Sequence, residues 1–129
     1  MKKRPNVTIK IVIRCTNKIL ILRHKNGAYD FPGGRLEFYE SLLGALQREL
    51  KEELDLVLPE EPQLFHVWNY ISKNKRRHSV MIYYIYSIDK IPKIVSPEKL
   101  QILWLSEKQM KEVIHDSEFV KKLYRWKKL

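Results

Sequence analysis

Apolar residues follow two different periods along this chain, and the change between them marks the predicted elements. Runs rich in β-branched and apolar residues, bounded by turn-forming residues, predict strands. These runs cover residues 7–15, 19–24, 63–71, 79–88 and 100–105. A turn at Thr16–Lys18 separates the first two runs, and the polar segment Ser72–Arg77 joins the third and fourth as a hairpin. The last run predicts a short buried strand.

The spacing becomes helical from Ser41 to Leu54, where leucines recur at i, i+3, i+7 and i+11 from Leu43. Near the C-terminus, Ser106 is predicted to be the N-cap of a helix across Glu107–Ile114. Ser117 is predicted to cap a further helix that runs into the basic tail. The tail is amphipathic, and docking on the domain's own surface is favoured over contact with RNA or a membrane.

Between the second strand and the central helix, Asn26–Gly27 is a strong signal for a tight turn. The segment Tyr29–Gly34 is predicted to be a loop, because Pro32 and the paired glycines interrupt a ladder of strand hydrogen bonds. Strands around one central helix, with helices at the end, indicate a mixed α/β domain of the sandwich type. Without internal repeats or a linker, the sequence predicts a single domain over residues 1–129.

Composition resembles that of ordinary globular proteins, with 44% apolar and 31% charged residues. No apolar run approaches the roughly 20 residues of a membrane span, so we expect no membrane partner. The basic start Met1–Arg4 resembles a signal peptide, but polar residues interrupt the segment that follows, which argues against export. The single cysteine, Cys15, excludes an internal disulfide framework and fits a reducing interior. We therefore expect a cytoplasmic protein, of an oligomeric state that the sequence leaves open.

The formal net charge of +10 is unevenly distributed. Residues 34–58 carry six acidic and three basic side chains, a net charge of −3, so the rest of the chain carries +13. A basic globule attracts polyanions such as nucleotides, RNA or acidic lipid surfaces, whereas an acidic island repels them unless a cation lies between. The contrast suggests a phosphate site bridged by a metal, although charge alone is explained more simply by solvated surface side chains.

Three acids on the central helix have a spacing that folding does not require. Glu49, Glu52 and Glu53 lie at i, i+3 and i+4, on one flank of the helix beside the leucine face. Like charges at this spacing destabilise an isolated helix by a few tenths of a kcal/mol per pair. Arg48 and Lys51 are expected to relieve this repulsion only partly, because one helical position cannot pair with three carboxylates. Clustered oxygen ligands suit Mg²⁺, although such a triplet alone is more often a solvated acidic face.

From Gly34 to Leu56 the sequence reads Gly-x5-Glu-x7-Arg-Glu-Leu-x-Glu-Glu-x-Asp-Leu. This resembles the Nudix box, the signature of the Nudix hydrolases. It departs from the box at one position, where Asp55 replaces the family's glycine. That glycine follows the helix in a left-handed conformation, which Asp tolerates better than most residues, so we expect a modest cost in stability and no loss of chemistry. The resemblance implies a Nudix-type α/β/α sandwich with a mixed sheet and a central catalytic loop–helix–loop.

The resemblance also assigns roles to individual residues. The implied metal ligands are Glu49, Glu52, Glu53 and Gly33. The implied cofactor is Mg²⁺, with Mn²⁺ as an alternative. Glu49 is also a candidate for holding or activating the nucleophilic water, and Arg48 would orient it by a charge-assisted hydrogen bond. Glu40 would close the loop or cap the onset of the helix. The number of metals and the identity of the general base stay open.

Candidates for substrate contacts are Gly34, Arg23 and Glu98. Gly34 has no Cβ and lets the backbone approach phosphates closely. Arg23 ends a strand from which it could reach a phosphate, and Glu98 resembles an extra acid that some family members supply, although each is explained more simply as an exposed residue. Trp68 and Tyr70, predicted to share a strand face with Leu64 and His66, are core candidates first and base-stacking candidates second.

The resemblance implies cleavage of a diphosphate linkage in a nucleotide-type substrate. A nucleoside triphosphate is our first expectation, and a nucleoside diphosphate linked to another group, a dinucleotide or a capped RNA end is the next. A binding module that senses a nucleotide or RNA without hydrolysis is the rival from another class. Retention of Arg48 and of the three helix carboxylates argues against it.

Overall fold

The computed structural model describes residues 3–128 and contains a mixed seven-stranded sheet with helices on both faces. The strands are β1 (Asn6–Cys15), β2 (Lys18–Arg23), β3 (Tyr29–Asp30), β4 (Gly33–Arg35), β5 (Gln63–Ile71), β6 (His78–Ile88) and β7 (Gln101–Leu105). The helices are α1 (Leu42–Leu54), α2 (Glu107–Val113) and α3 (Ser117–Arg125). The predicted α/β sandwich is confirmed. Residues 1, 2 and 129 of the predicted domain lie outside the described residues.

Strand β1 lies at the centre of the sheet, whose order is β3–β2–β1–β6–β5. It runs parallel to β6 from Asn6, opposite Ser79, to Cys15, opposite Ile88. On its other side it pairs antiparallel with β4 and then with β2, while β7 pairs with β2. Strand β5 pairs antiparallel with β6 at the end of this order.

Alternate residues of β1 and β2 face two separate cores, as the two-residue period of a strand requires. One core packs beneath α1 and contains Ile9, Ile11, Ile13, Leu20, Leu22, Leu46, Leu50 and Leu54. The other packs beneath α2 and α3 and contains Val12, Ile19, Ile21, Phe31, Tyr83, Met110, Val120 and Leu123. The sheet is therefore a middle layer, and α1 lies alone on the face that carries the box.

The helix ends follow the predicted signals with two shifts of one residue each. Ser41 caps α1 by accepting the N–H of Gly44, and Ser106 caps α2 in a capping box with Gln109. The cap of α3 is Asp116 rather than the predicted Ser117, because the carboxylate of Asp116 accepts the N–H of Phe119. Helix α2 ends at Val113, one residue earlier than predicted.

Asp55 occupies the left-handed C-cap of α1, with φ 48° and ψ 40°, as the comparison with the box implied. Its N–H reaches the carbonyl of Lys51, and its carboxylate pairs with the Lys51 ammonium at 2.6 Å. This side chain is exposed. Both contacts of Asp55 are with its own helix end, as expected for a capping residue.

Three predictions about the sheet are wrong. Residues 29–34 are not simply loop, because β3 pairs with β2 and β4 pairs with β1 across Thr8–Lys10. Glycine allows β4 to pair closely with β1, whereas the prediction from sequence treated the paired glycines only as an interruption of a strand. A bulge between Leu64 and His66 shifts the register of β5, so Leu64 faces the α1 side while His66 faces the other. Strand β7 is half-buried rather than buried.

The C-terminal helix docks on the domain, which confirms the favoured explanation of its amphipathic pattern. Val120 and Leu123 are fully buried, and Phe119 packs edge-on against Phe31 and Tyr83. The Tyr124 hydroxyl donates to a carbonyl of β7. Among residues 3–128, no helix combines the length and apolarity needed to cross a bilayer.

Candidate functional site

Arg48, in the middle of α1, joins the acids of the box into one network. Its Nε and one Nη donate to the two carboxylate oxygens of Glu40 at 2.7 and 3.0 Å. Its other Nη donates to Glu49 at 2.9 Å and lies 3.5 Å from Glu52 and 3.8 Å from Glu37. Of the three helix carboxylates, Arg48 therefore reaches Glu49 and Glu52 but not Glu53, in agreement with the expectation that one position cannot pair with all three. The guanidinium presents five donors in a fork, which lets it bind the loop acid Glu40 as well.

Glu40 closes the loop that precedes α1. Its carboxylate accepts the Glu37 N–H at 2.8 Å in addition to the two bonds from Arg48. The hydrogen bond from Arg48, followed by that from Glu37, lowers the pKa of Glu40 below its ordinary value. Glu40 does not cap the helix, since that position belongs to Ser41. Arg48 also donates to the carbonyl of Arg35 at 2.9 Å and so ties α1 to β4.

Glu53 is the buried acid of this helix, with 7% of its surface exposed. One of its carboxylate oxygens accepts the N–H of Gly33 at 2.8 Å. Burial raises the pKa of Glu53 to about 7, against the opposing effects of that hydrogen bond and of the Lys10 charge. The negative charges of Glu49 and Glu98 raise the pKa further. The ionised carboxylate is poorly solvated here, which favours a cation beside it.

Both glycines of β4 are required because neighbouring groups of β1 and α1 leave no room for a side chain. Gly33 has φ 134°, and a Cβ there would lie 2.0 Å from the carbonyl oxygen of Ile9 on β1. A Cβ on Gly34 would lie 2.4 Å from one carboxylate oxygen of Glu49. The absence of both side chains therefore lets β4 lie between β1 and the acidic flank of α1.

Among residues 3–128, no three acidic, histidine or cysteine side chains converge tightly enough for a closed metal cage. Mg²⁺ does not require one, because it binds proteins through one or two carboxylates, keeps several waters and takes substrate phosphates. Glu49 and Glu53 contact the β4 glycines, and Glu52 is half-exposed on the same flank. The N–H of Gly33 already donates to Glu53, so the group that Gly33 could contribute to a cation is its carbonyl. These hard oxygen donors fit Mg²⁺.

A cleft of about 640 Å³ adjoins this flank on the other side of β4. Its lining includes Thr8, Lys10, Gly34, Arg35, Trp68, Tyr70, Arg77 and Met81. A neighbouring pocket of about 340 Å³ shares Tyr29, Asp30 and Trp68 with it and continues over His66, Tyr83 and Phe119. Backbone from the box, cationic groups and aromatic rings are thus combined in one groove.

Lys10 is the principal site residue that the sequence analysis missed. It is 7% exposed, and its Nζ donates to Asp30 at 2.8 Å and to the carbonyl of Phe31 at 3.2 Å. It lies opposite Gly33 in the sheet. The signal was present, because a lysine inside the apolar run VTIKIVI needs a buried partner. The Ser96 hydroxyl, which donates to the carbonyl of Glu53 at 2.5 Å, left no such signal.

The other predicted substrate contacts are placed apart. Arg23 extends over the ring of Tyr29, 5.3 Å from its centroid. Tyr29 lines the cleft, but Arg23 is not among its lining residues. Glu98 is exposed, but it is near enough to Glu53 for its charge to affect that pKa. The box residues Glu40, Arg48, Glu49, Glu53, Gly33 and Gly34 form one connected group.

The α/β/α sandwich and the packing of α1 against the two glycines of β4 indicate a Nudix fold. The comparison of sequences agrees. Residues 2–126 match the NUDIX domain family, and the chain belongs to that family.

Two structures and one curated protein illustrate its similarity to relatives. The chain is 33% identical over 88 residues to the ADP-ribose pyrophosphatase of Methanocaldococcus jannaschii, covering 65% of this chain and 52% of that protein. It therefore spans about half the length of this curated relative. A MutT NUDIX hydrolase from Burkholderia pseudomallei has a TM-score of 0.73 at 24% identity, with 92% and 96% of the two chains covered. The NUDIX domain of Shewanella oneidensis NrtR complexed with ADP ribose has a TM-score of 0.70 at 18% identity, with 94% and 87% covered.

Proposed function

We propose that this protein is a Mg²⁺-dependent pyrophosphohydrolase that cleaves the diphosphate linkage of a nucleoside diphosphate joined to another group. The observation that supports this most directly is the position of Glu53 and Glu49 against the glycine pair of β4, at the edge of the cleft. A diphosphate at that edge would lie between the acidic flank of α1 and the cationic groups of the cleft. Mn²⁺ is the alternative cofactor.

We assign the cation to Glu49, Glu52 and Glu53, with the Gly33 carbonyl beside them. When bound, the cation neutralises charge on the diphosphate oxygens and makes water easier to deprotonate. Arg48 holds the Glu49 carboxylate by its 2.9 Å hydrogen bond, so that Glu49 can orient the attacking water. Glu40 in turn fixes Arg48, whose hydrogen bond lowers the pKa of Glu40 and so favours its ionised form.

We assign the nucleoside to the cleft, where Trp68 and Tyr29 offer aromatic faces for stacking. Sequence similarity to an ADP-ribose pyrophosphatase supports a nucleoside diphosphate linked to a sugar over our first expectation, a nucleoside triphosphate. Arg77 at the rim of the same cleft favours one further candidate, the capped 5′ end of an RNA, whose following phosphates would extend past the basic hairpin.

The test is product identity across a substrate panel with Mg²⁺. We expect ADP-ribose to yield AMP and ribose 5-phosphate, nucleoside triphosphates and capped RNA to react more slowly, and simple phosphomonoesters to be inert. Glu53→Gln protein serves as the control for contaminating phosphatases. Hydrolysis of monoesters alone would contradict the proposal, and nucleotide binding without turnover would indicate a sensor module.

Salt dependence provides an independent prediction about the cleft. Added salt screens exposed charges beyond a Debye length of about 8–10 Å, but affects close, partly buried contacts much less. We expect kcat/KM to fall from low to physiological salt while kcat changes little, with a steeper slope for a capped RNA than for ADP-ribose. Arg77→Gln should flatten the slope, since Arg77 lines the cleft. Arg125→Gln, at an exposed position of α3, is the matched control. Equal slopes for both substrates and both variants would mean that these bases serve solubility.

A further inference from the structure

Strand β5 forms an edge of the sheet with unusual surface chemistry. It pairs with β6 on one side, and no described strand within residues 3–128 pairs with its other side. Its nine residues contain no Lys, Arg, Asp, Glu or Pro, the residues with which proteins commonly protect an edge from pairing. The single bulge lies near its start and leaves His66–Ile71 in regular register.

Apart from Asn69, the exposed side chains of this edge are apolar or aromatic on both faces. Leu64, Val67 and Ile71 are 62%, 53% and 54% exposed on the α1 side. Trp68 and Tyr70, at 44% and 43%, are exposed on the cleft side. Strand pairing would cover apolar surface on both faces and satisfy the outward-facing backbone groups together.

We propose that β5 is a homodimer interface, in which two copies of this chain pair their β5 strands antiparallel about a two-fold axis through Val67. A two-fold contact is self-complementary, so that each strand supplies the donors and acceptors that the other needs. Side chains directly opposite each other must point to the same face, which places the axis through a residue rather than between two.

The charges that flank β5 identify a second copy as the partner. Glu60 and Glu61 precede the strand, and the basic hairpin Lys73–Arg77 follows it. Antiparallel pairing near the centre brings the acidic pair of each copy beside the basic hairpin of the other, at both ends of the interface. A parallel arrangement would instead place hairpin beside hairpin.

Two effects limit the expected strength of the dimer, namely charge repulsion and the small size of the interface. Each copy carries a formal charge of +10, which opposes self-association at low salt, but this long-range repulsion is screened at physiological ionic strength. One strand pair is a small interface, and small interfaces give weak complexes. We therefore expect a dissociation constant on the order of 1–100 μM near 0.15 M salt.

Sedimentation of the full chain across this concentration range tests the dimer. The mass should rise from 15.6 kDa toward twice that value. Val67→Lys places two ammonium groups together across the axis and should raise the dissociation constant at least about tenfold. Val57→Lys, at an exposed site in the loop after α1, is the matched control and should dimerise normally. A monomer at all concentrations, or equal dimerisation of both variants, would overturn the proposal.

Charge exchange tests the antiparallel arrangement itself. Glu61→Lys and Lys73→Glu should each weaken the dimer, and the double variant should restore it, because both substitutions reverse the same pair. Failure of the double variant to recover would overturn this arrangement.

Hydrogen exchange of the wild-type chain tests the interface even if Val67→Lys does not fold. Amides of β5 should gain protection as concentration rises, and concentration-independent exchange would also refute the interface.

Discussion

Glu53→Gln should lower kcat/KM at least roughly 100-fold while making the metal-free protein more stable at pH 8. An amide retains the oxygen that accepts the Gly33 N–H at 2.8 Å, so the contact between α1 and β4 survives. It cannot supply the negative charge that a cation requires. The same substitution also removes a carboxylate that is unfavourably buried once it ionises.

The gain in stability has a defined pH window. The ordinary pKa of this carboxyl is 4.5, and burial raises it to about 7 in the folded protein. As pH rises from 4.5 to about 7, the unfolded chain releases this proton before the folded chain does, so the wild-type free energy of unfolding falls. The stability difference between Glu53→Gln and wild type should therefore grow from pH 5 to pH 8, by at most about 3 kcal/mol. Denaturant unfolding in EDTA measures it.

Glu52→Gln separates the two effects, because Glu52 lies on the same flank but is half-exposed. We expect it to lose activity on a similar scale without the pH-dependent gain in stability. Near-normal Mg²⁺-dependent activity in both variants would refute the assignment of this flank as the metal site. An unchanged stability difference between pH 5 and pH 8 would mean that Glu53 ionises normally in the folded chain.

The adjacent glycines of β4 should respond in opposite ways to the same added methyl group. In Gly33→Ala the Cβ would lie 2.0 Å from the backbone oxygen of Ile9, at φ 134°. Backbone cannot move aside cheaply, so we expect a loss of stability on the order of 3–5 kcal/mol. In Gly34→Ala the Cβ meets the end of the Glu49 side chain, which can rotate away. We expect stability within about 1 kcal/mol of wild type and kcat/KM lower by roughly 10–100-fold.

Urea unfolding and kinetics on the two variants separate these outcomes. Gly27→Ala is a control for general glycine replacement, because Gly27 lies in a turn with open space around it. It should reduce stability modestly and leave activity unchanged. Normal activity in Gly34→Ala would show that the position of Glu49 is not important for the reaction. Wild-type stability in Gly33→Ala would contradict the tight pairing of β4 with β1.

Local patterns in the sequence were sufficient for the box helix and for most strands. The leucine spacing and the cap at Ser41 depend on neighbours within a few residues, and they placed α1 to within one residue. The network around Arg48 was only half predicted. Its pairing with Glu49 followed from the box, whereas its contact with the carbonyl of Arg35 requires β4 to be a strand, which a local rule excluded.

The remaining part of the site depends on contacts between distant segments. Lys10, Asp30 and Trp68 share a groove because β1, β3 and β5 belong to one sheet, and no local pattern specifies that order. The bulge near Phe65 likewise changes which side chains share a face. A period-two pattern assumes an uninterrupted strand, so it assigned Leu64 to the same face as His66.

The parallel pairing of β1 with β6 also affects how this chain folds. The two strands are about seventy residues apart, and every β1–β6 contact must close a loop of that length. A ribosome adding about 5–20 residues per second exposes β1 for several seconds before its partner emerges. During that interval the apolar segment IVI within β1 has only the β2 hairpin and β4 for protection. Refolding should therefore be slower than in helical proteins of the same size, and early truncations should aggregate.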